Sequence, residues 1–394
     1  NEQHMCGITG WVGQKIDTRV SREMLLRLTH RGPDGSGEWG ADGVWLGHRR
    51  LAILDRTLEG HQPMVSSSKR LILTYNGEVY NYLELRAELE RCGVHFCGHS
   101  DSEVVLAACE FWGVEKAVTR FEGMFAFALY DVNKRVLWLA RDPMGIKPLY
   151  YANASSEFAF ASELTALQPL PWLDDTIDAD ALYSYFRYLC VPAPASILRG
   201  AKKLPSGTLL RWDGHSVELR RFWELETKVG SLCSPSSVIS FEEATDELER
   251  RLRRSVRLHM QADVPHGAFL SGGVDSSVVA ALMQAESSRP IKTFTVGFAE
   301  RTHDESLYAR AVAKHLGTDH HELIMNVEDV PALVSEVAAN YDEPFADSSS
   351  IPTFLVSRFA RQHVTVCLSG DGGDELFAGY PRYFWANRIE RWRK

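Results

Sequence analysis

Residues 269–279 read FLSGGVDSSVV, and this stretch decides the architecture of the half of the chain around it. Its apolar start predicts a strand ending at Leu270. Ser271, Gly272 and Gly273 predict a tight turn, and a helix is expected to begin near Ser276. Glycines let backbone N–H groups approach a polyphosphate, and a helix N-terminus favours anions. Ser271, Ser276 and Ser277 add hydroxyl donors. No Gly-Lys-Ser/Thr follows, so the loop is not of the Walker type. Asp275 would repel a bare phosphate, which suits it to holding a Mg²⁺ ion that bridges phosphates. The bland alternative is a glycine turn with Asp275 capping a helix.

Outward from this loop the pattern alternates. HGAFL, IKTFTVGF, HHELIM and HVTVCLSG read as strands, and SSVVAALMQAES and DESLYARAVAKHLG read as helices. That alternation predicts a doubly wound parallel α/β domain. SFEEATDELERRLRRSVRLHM predicts a long amphipathic helix capped by Ser240 with an acidic first turn. A second acidic glycine loop, LSGDGGDELFAGY (368–380), follows the last of the strands. Loops at the carboxyl ends of parallel strands are where α/β sites are built. Ser369 and Gly370 are expected to lie against a nucleotide. Asp371, Asp374 and Glu375 are three acids in five residues that could hold Mg²⁺ and manage protons, and Asp371, Glu375 and Tyr380 are candidates for acid/base work or the acceptor site. His321-Glu322 has no second histidine at helical zinc spacing, and His320 reads as a strand-end polar residue.

The first half has a different rhythm. Short strands such as LILTYNGEVYN, FAFALYD, VLWLARD and PLYYAN are broken by Gly, Asp and Asn, with a helix at NYLELRAELERCG. This predicts an α+β sandwich of antiparallel sheets. The expected division is 6–212 for this domain, 213–240 for a connector containing GSLCSPSS, and 241–394 for the α/β domain.

At 394 residues, 45% hydrophobic and 24% charged, the chain suits two globular domains. A net charge of -9 argues against a nucleic-acid partner. No apolar run approaches the roughly 18 residues of a spanning helix, so no membrane role is expected. The seven cysteines are scattered, which fits free thiols in a cytoplasmic protein.

Polar clusters at HRGPDGSG (30–37), GHRRLAILD (47–55), GHQPM (60–64), YNGEVYN (75–81) and HSDSEVV (99–105) follow Cys6. A nucleophilic cysteine needs a base, an oxyanion hole and substrate anchors. An α-amine on Cys6 itself would be a base needing no histidine. Asn76 and Gly77 offer an amide and a backbone N–H to an oxyanion. Arg50 is suited to an α-carboxylate, and Glu78 and Asp101 to an α-ammonium. Together they describe a pocket for glutamine.

The Ser-Gly-Gly-Val-Asp-Ser-Ser string resembles the PP-loop of the ATP pyrophosphatases. The set Cys6-Gly7, 30–34, 75–78, 271–277 and 369–375 resembles the glutamine-hydrolysing asparagine synthetases. That resemblance implies an N-terminal-nucleophile amidotransferase domain followed by a PP-loop synthetase domain. It implies Cys6 as glutaminase nucleophile, Asn76 and Gly77 as oxyanion hole, and Arg50, Glu78 and Asp101 as glutamine ligands beside them. It further implies that Leu270, Val296 and Gly370 contact AMP, that the 271–277 loop binds ATP, and that Asp275 and Asp374 serve Mg²⁺-pyrophosphate. EPFADSSSIPT (343–353) matches the region approaching the amide acceptor.

The implied reaction hydrolyses glutamine, adenylates aspartate with ATP and yields asparagine, AMP and pyrophosphate. A homodimer is compatible with it. Alternatives are amidation of another carboxylate (a sugar, peptide or antibiotic precursor) and a non-catalytic homologue. Two departures stand out. Residues 1–5, NEQHM, are expected to be a tag or leader remnant that acylates the Cys6 amine. The family also continues beyond Lys394, so the synthetase domain is expected to be incomplete.

Overall fold

The computed structural model describes residues 5–227, 239–299, 304–326, 328 and 330–393. The chain forms two compact units: residues up to 238 together with 338–348, and residues 239–337 together with 349–394.

The first unit contains two six-stranded antiparallel sheets. One has the order β10-β8-β9-β1-β3-β2, formed by Ala201–Lys203, Tyr150–Ala154, Glu157–Ala161, Gly7–Val12, Val44–Arg50 and Gly35–Ala41. The other has the order β12-β11-β7-β6-β5-β4, formed by Val217–Arg221, Thr208–Trp212, Val136–Arg141, Gly123–Asp131, Leu71–Val79 and Met64–Val65. Two-residue alternation sorts their side chains. On β6, Ala126, Ala128 and Tyr130 join Ile8, Leu46, Phe158 and Phe160 in a core between the sheets. Phe125, Phe127 and Leu129 face the other way. They pack with α2 (Tyr82–Arg91), α3 (Asp101–Trp112) and α4 (Val114–Val118). The outer face of the other sheet is covered by α1 (Thr18–Leu26) and the stretch Leu164–Leu170. This is the expected α+β sandwich. Helix α5 (Ala179–Tyr188) is capped by Asp178, whose side chain accepts from the Ala181 N–H.

Strand β12 lies inside the expected 213–240 connector. It pairs with β11 from Thr208↔Arg221 to Trp212↔Val217, because VELRR alternates well enough to extend a sheet edge. Residues 228–238 of that connector, and residues 1–4 of the expected leader, lie outside the described residues.

The second unit is a parallel sheet of order β15-β14-β13-β16, formed by Asp319–Met325, Lys292–Phe298, His266–Phe269 and Val366–Leu368. Its helices are α6 (Phe241–His259), α7 (Val274–Glu286), α8 (Ser306–Leu316), α9 (Val330–Ala338), α10 (Ser350–Ala360), α11 (Gly373–Phe377) and α12 (Pro381–Arg393). The Ser240 cap is present with its reciprocal Glu243 bond. Helix α7 begins at Val274, two residues before the expected start, since Val274 and Asp275 already adopt the helical turn that Gly273 opens. Strand order reverses at β13, whose neighbours are β14 on one side and β16 on the other. A crevice opens at such a switch point, beyond the carboxyl ends of the strands. The loops that leave β13 and β16 are the two glycine loops. No described helix is long and apolar enough to cross a membrane.

Candidate functional site

In the first unit one pocket is lined by Cys6, Arg50, Asn76, Gly77, Glu78 and Asp101, the complete set expected from the sequence. Strand parity explains the convergence. Ile72, Thr74, Asn76 and Glu78 share one face of β5. Ile72 belongs to the inter-sheet core, and the Thr74 hydroxyl donates to the Gly47 carbonyl of β3 at 3.3 Å. Asn76 and Glu78 continue that face to the strand end, near the start of β1 where Cys6 sits.

The Cys6 thiol lies against the Leu51 main chain. It accepts from the Leu51 N–H at 3.4 Å and donates to its carbonyl at 3.6 Å. Burial pushes this thiol up, against the pull of the Leu51 hydrogen bond and of Lys147, Arg50 and Arg31. Asn76 is 1% exposed. Its Nδ2 is buried without a hydrogen-bond partner. Buried donors are nearly always satisfied, so an orphan beside a thiol is a candidate for a charge that appears only during reaction.

Two acids, Glu78 and Asp101, line the same pocket. Asp101 is the first residue of α3, directly after its Ser100 cap, and accepts from the Tyr75 hydroxyl at 2.6 Å and the Val79 N–H at 3.0 Å. Burial raises Asp101. Burial also raises Glu78, and the neighbouring Asp101 charge adds to it. Two carboxyls held above their ordinary range are suited to a cationic ligand. Arg50 donates to the Thr57 carbonyl at 2.9 Å and to the Asp55 carbonyl. Those contacts leave other guanidinium donors for an anion.

Sequence reasoning missed Lys147, which is 4% exposed and lines the same pocket. Burial holds its ammonium below the lysine range while Glu78 pulls it up. It also missed His48, buried on β3 with Nε2 donating to the Tyr75 carbonyl at 3.1 Å. Burial lowers that imidazole to about 3, so it is neutral. The sequence signal for Lys147 was a lone lysine before the apolar run PLYY, which a surface lysine would match equally.

In the second unit the two glycine loops come together. A Cβ on Gly373 would sit 2.4 Å from the Asp275 carboxyl, and one on Gly370 would sit 2.8 Å from the Ser276 nitrogen. Only glycines permit this approach. Gly272 has φ +83° and packs on the start of α8, where a Cβ would sit 2.6 Å from the Ala309 nitrogen. The Ser271 and Ser276 hydroxyls are 2.9 Å apart, and Ser277 donates to the Gly273 carbonyl at 2.6 Å. Gly273 gives α7 no side-chain cap, so the first N–H groups of the helix are open to an anion.

Val296 is half-buried near the end of β14. The Leu270 side chain is 1% exposed, in the core, so only its main chain can meet a ligand. Asp371 accepts from the Ser369 hydroxyl at 2.9 Å, and Glu375 accepts from the Tyr380 hydroxyl at 2.7 Å. Asp374 packs against Gly379, where a Cβ would meet its Oδ1. No described group of three or more ligating side chains could hold a metal on its own. Mg²⁺ usually takes one or two carboxylates plus phosphates and waters, and Asp275, which lies against Gly373, is a carboxylate that could hold it, with Asp374 the next residue along the loop. His320 is hydrogen-bonded to the Thr293 hydroxyl at 2.9 Å and is not part of this site.

Residues 5–223 match the glutamine amidotransferase domain family, and residues 247–394 match the asparagine synthase family. A relative from Methanocaldococcus jannaschii, provisionally named a glutamine-hydrolysing asparagine synthetase, is 36% identical, covering 99% of this chain and 78% of its own length. One from Mycobacterium tuberculosis with the same provisional name is 39% identical over 96% of this chain. Asparagine synthetase (glutamine-hydrolysing) 1 of Bacillus subtilis is 36% identical over 96%. The chain spans 61% and 59% of those last two proteins.

Proposed function

The chain belongs to the family of glutamine-hydrolysing asparagine synthetases, and from that membership we propose that the protein transfers ammonia from glutamine to aspartate activated by ATP. The observation that carries this reading is the buried, partnerless Nδ2 of Asn76 in the pocket that also holds Cys6.

In a chain beginning at Cys6, the free α-amine takes the thiol proton. Sγ attacks the glutamine Cδ, and Asn76 Nδ2 with the Gly77 N–H meets the negative carbonyl oxygen. The C–N bond breaks, the amine returns its proton to the departing ammonia, and water hydrolyses the thioester to glutamate. Arg50 anchors the glutamine carboxylate, while Glu78 and Asp101 hold its ammonium.

The synthetase reaction belongs to residues 241–394. The aspartate β-carboxylate attacks the α-phosphorus of ATP and pyrophosphate leaves. Ammonia then attacks the acyl carbonyl and AMP departs. Asp275 and Asp374 would hold Mg²⁺, which when bound neutralises phosphate charge. Ser271, Ser276, Ser277 and the open N–H groups of α7 cradle the phosphates, and Leu270, Val296 and Gly370 contact the nucleotide. Asp371, Glu375 and Tyr380 are assigned to proton transfer or the acceptor. The compartment is the cytoplasm, consistent with the free state of the six described cysteines.

The test supplies the whole protein with ATP, aspartate and glutamine labelled at its amide nitrogen. The expected result is labelled asparagine with equal amounts of AMP and pyrophosphate. Label appearing only in free ammonia, with no AMP, overturns the ligase reading.

A further inference from the structure

Residues 338–348 run from the last residue of α9 to just before α10, yet they fold into the first unit. Two acids fasten them there. Glu343 pairs with the Lys203 ammonium, accepts from the Ile197 N–H at 2.6 Å, and accepts from the Tyr150 hydroxyl at 3.2 Å. Asp342 accepts from the Leu164 N–H and, at 3.2 Å, from the Thr165 N–H. The Ala346 N–H donates to the Leu189 carbonyl at 2.9 Å.

What these contacts fix matters more than their number. Leu164 and Thr165 directly follow Glu163. The Glu163 Oε1 accepts from Arg31 Nη1 at 2.7 Å and meets His30 Nε2 at 3.0 Å. Arg31 is 1% exposed, and its Nε donates to the Cys6 carbonyl at 3.2 Å. An unbroken series therefore runs from Asp342 through the 163–165 main chain, Glu163 and Arg31 to the main chain of Cys6. Every member is short-range and largely buried, so a shift at one end displaces the other rather than dissipating in solvent.

We propose that residues 338–348 are a positioning strap for the Cys6 site, anchored by Asp342 and Glu343 and acting on Cys6 through Glu163 and Arg31. The strap touches no reacting atom; it sets where the thiol stands. The proposal rests on the reading of Cys6 as nucleophile. A nucleophile displaced by a fraction of an ångström still binds substrate but reaches it less often, so the loss appears in kcat and not in KM.

The experiment compares Asp342→Ala, Asp342→Asn and Glu343→Gln in the full protein with its chain beginning at Cys6. Glutaminase kcat is expected to fall about tenfold in Asp342→Ala, with the glutamine KM changed less than about twofold. Asp342→Asn keeps the shape and one acceptor oxygen, so it is expected to lie between Asp342→Ala and the parent. Glu343→Gln is expected to lower kcat in the same sense. If Asp342→Ala does not fold, the other two variants decide. Unchanged kcat per folded molecule in both, whatever the melting temperature does, overturns the strap. Retention of glutamate release by Cys6→Ala would instead remove the nucleophile reading on which the strap rests.

Discussion

Asn76→Ala removes a donor that the folded protein buries but does not use. Its effects on catalysis and on stability are therefore predicted to diverge. Loss of one oxyanion donor costs about 10²–10³ in kcat, or ~3–4 kcal/mol of transition-state stabilisation. A buried polar group without a partner costs ~1–3 kcal/mol in the folded state, and alanine removes that cost. Against it stands the packing of one short side chain on β5, a loss of similar or smaller size. The first unit is then expected to melt at the parent temperature or up to a few degrees above it, at ~2–4 °C per kcal/mol for a domain of this size. The assay follows glutamate release and thermal unfolding on one preparation whose chain begins at Cys6. A large fall in kcat with intact melting is the expected result. A kcat within about threefold of the parent refutes the oxyanion role, and a melting temperature lowered by ~8 °C or more shows that Nδ2 has a structural partner in solution.

Three further outcomes follow from the same geometry. His48 is buried and neutral, with its folded pKa lowered to about 3. It therefore adds stability that is fully present above the unfolded value near ~6.5 and is lost as pH falls toward 3. By pH 4 the loss is ~3 kcal/mol, and denaturant midpoints of His48→Gln measured from pH 7 to 4 are expected to decline less steeply than the parent's; parallel declines would contradict this. Arg50→Ala is expected to raise the glutamine KM about 10–100-fold, the worth of a charge-assisted hydrogen bond, and to leave the ATP KM alone; unchanged glutamine kinetics would place the carboxylate anchor elsewhere. Asp275→Asn keeps the helix start but removes a charge, so pyrophosphate formation is expected to drop about 100-fold while glutamate release continues. Parent-level pyrophosphate would exclude the metal role, and an unfolded variant would show a structural one.

The parts of the molecule governed by short-range rules were legible in the sequence. The Ser240 cap, the alternation of FAFALYD and the strand–loop–helix at 269–279 each depend on neighbours a few residues apart. That Cys6, Asn76, Glu78 and Asp101 meet in one pocket was legible because they lie in polar clusters flanked by strand-like residues. Lys147 was not, because its importance lies in burial, and nothing adjacent in sequence records that. The strap was illegible for a related reason. EPFADSSSIPT reads as one motif, yet 343–348 fold into the first unit and 349–353 into the second. Glu343 reaches Lys203 across 140 residues of chain, a pairing set by tertiary packing alone. Strand β12 was hidden by the polar turn DGHS before VELRR and by the Ser/Pro/Gly-rich stretch further along the same segment.

The most direct test of the account is the rate of glutamate formation from glutamine by the protein with its chain beginning at Cys6, measured beside its Cys6→Ala variant and beside the sequence that retains residues 1–5. The account predicts steady glutamate release by the first. It predicts none from Cys6→Ala, which lacks the thiol. It predicts a rate reduced to background while Met5 acylates the Cys6 nitrogen and denies the thiol its base. Equal rates in all three would contradict the assignment of Cys6 and of its amine together.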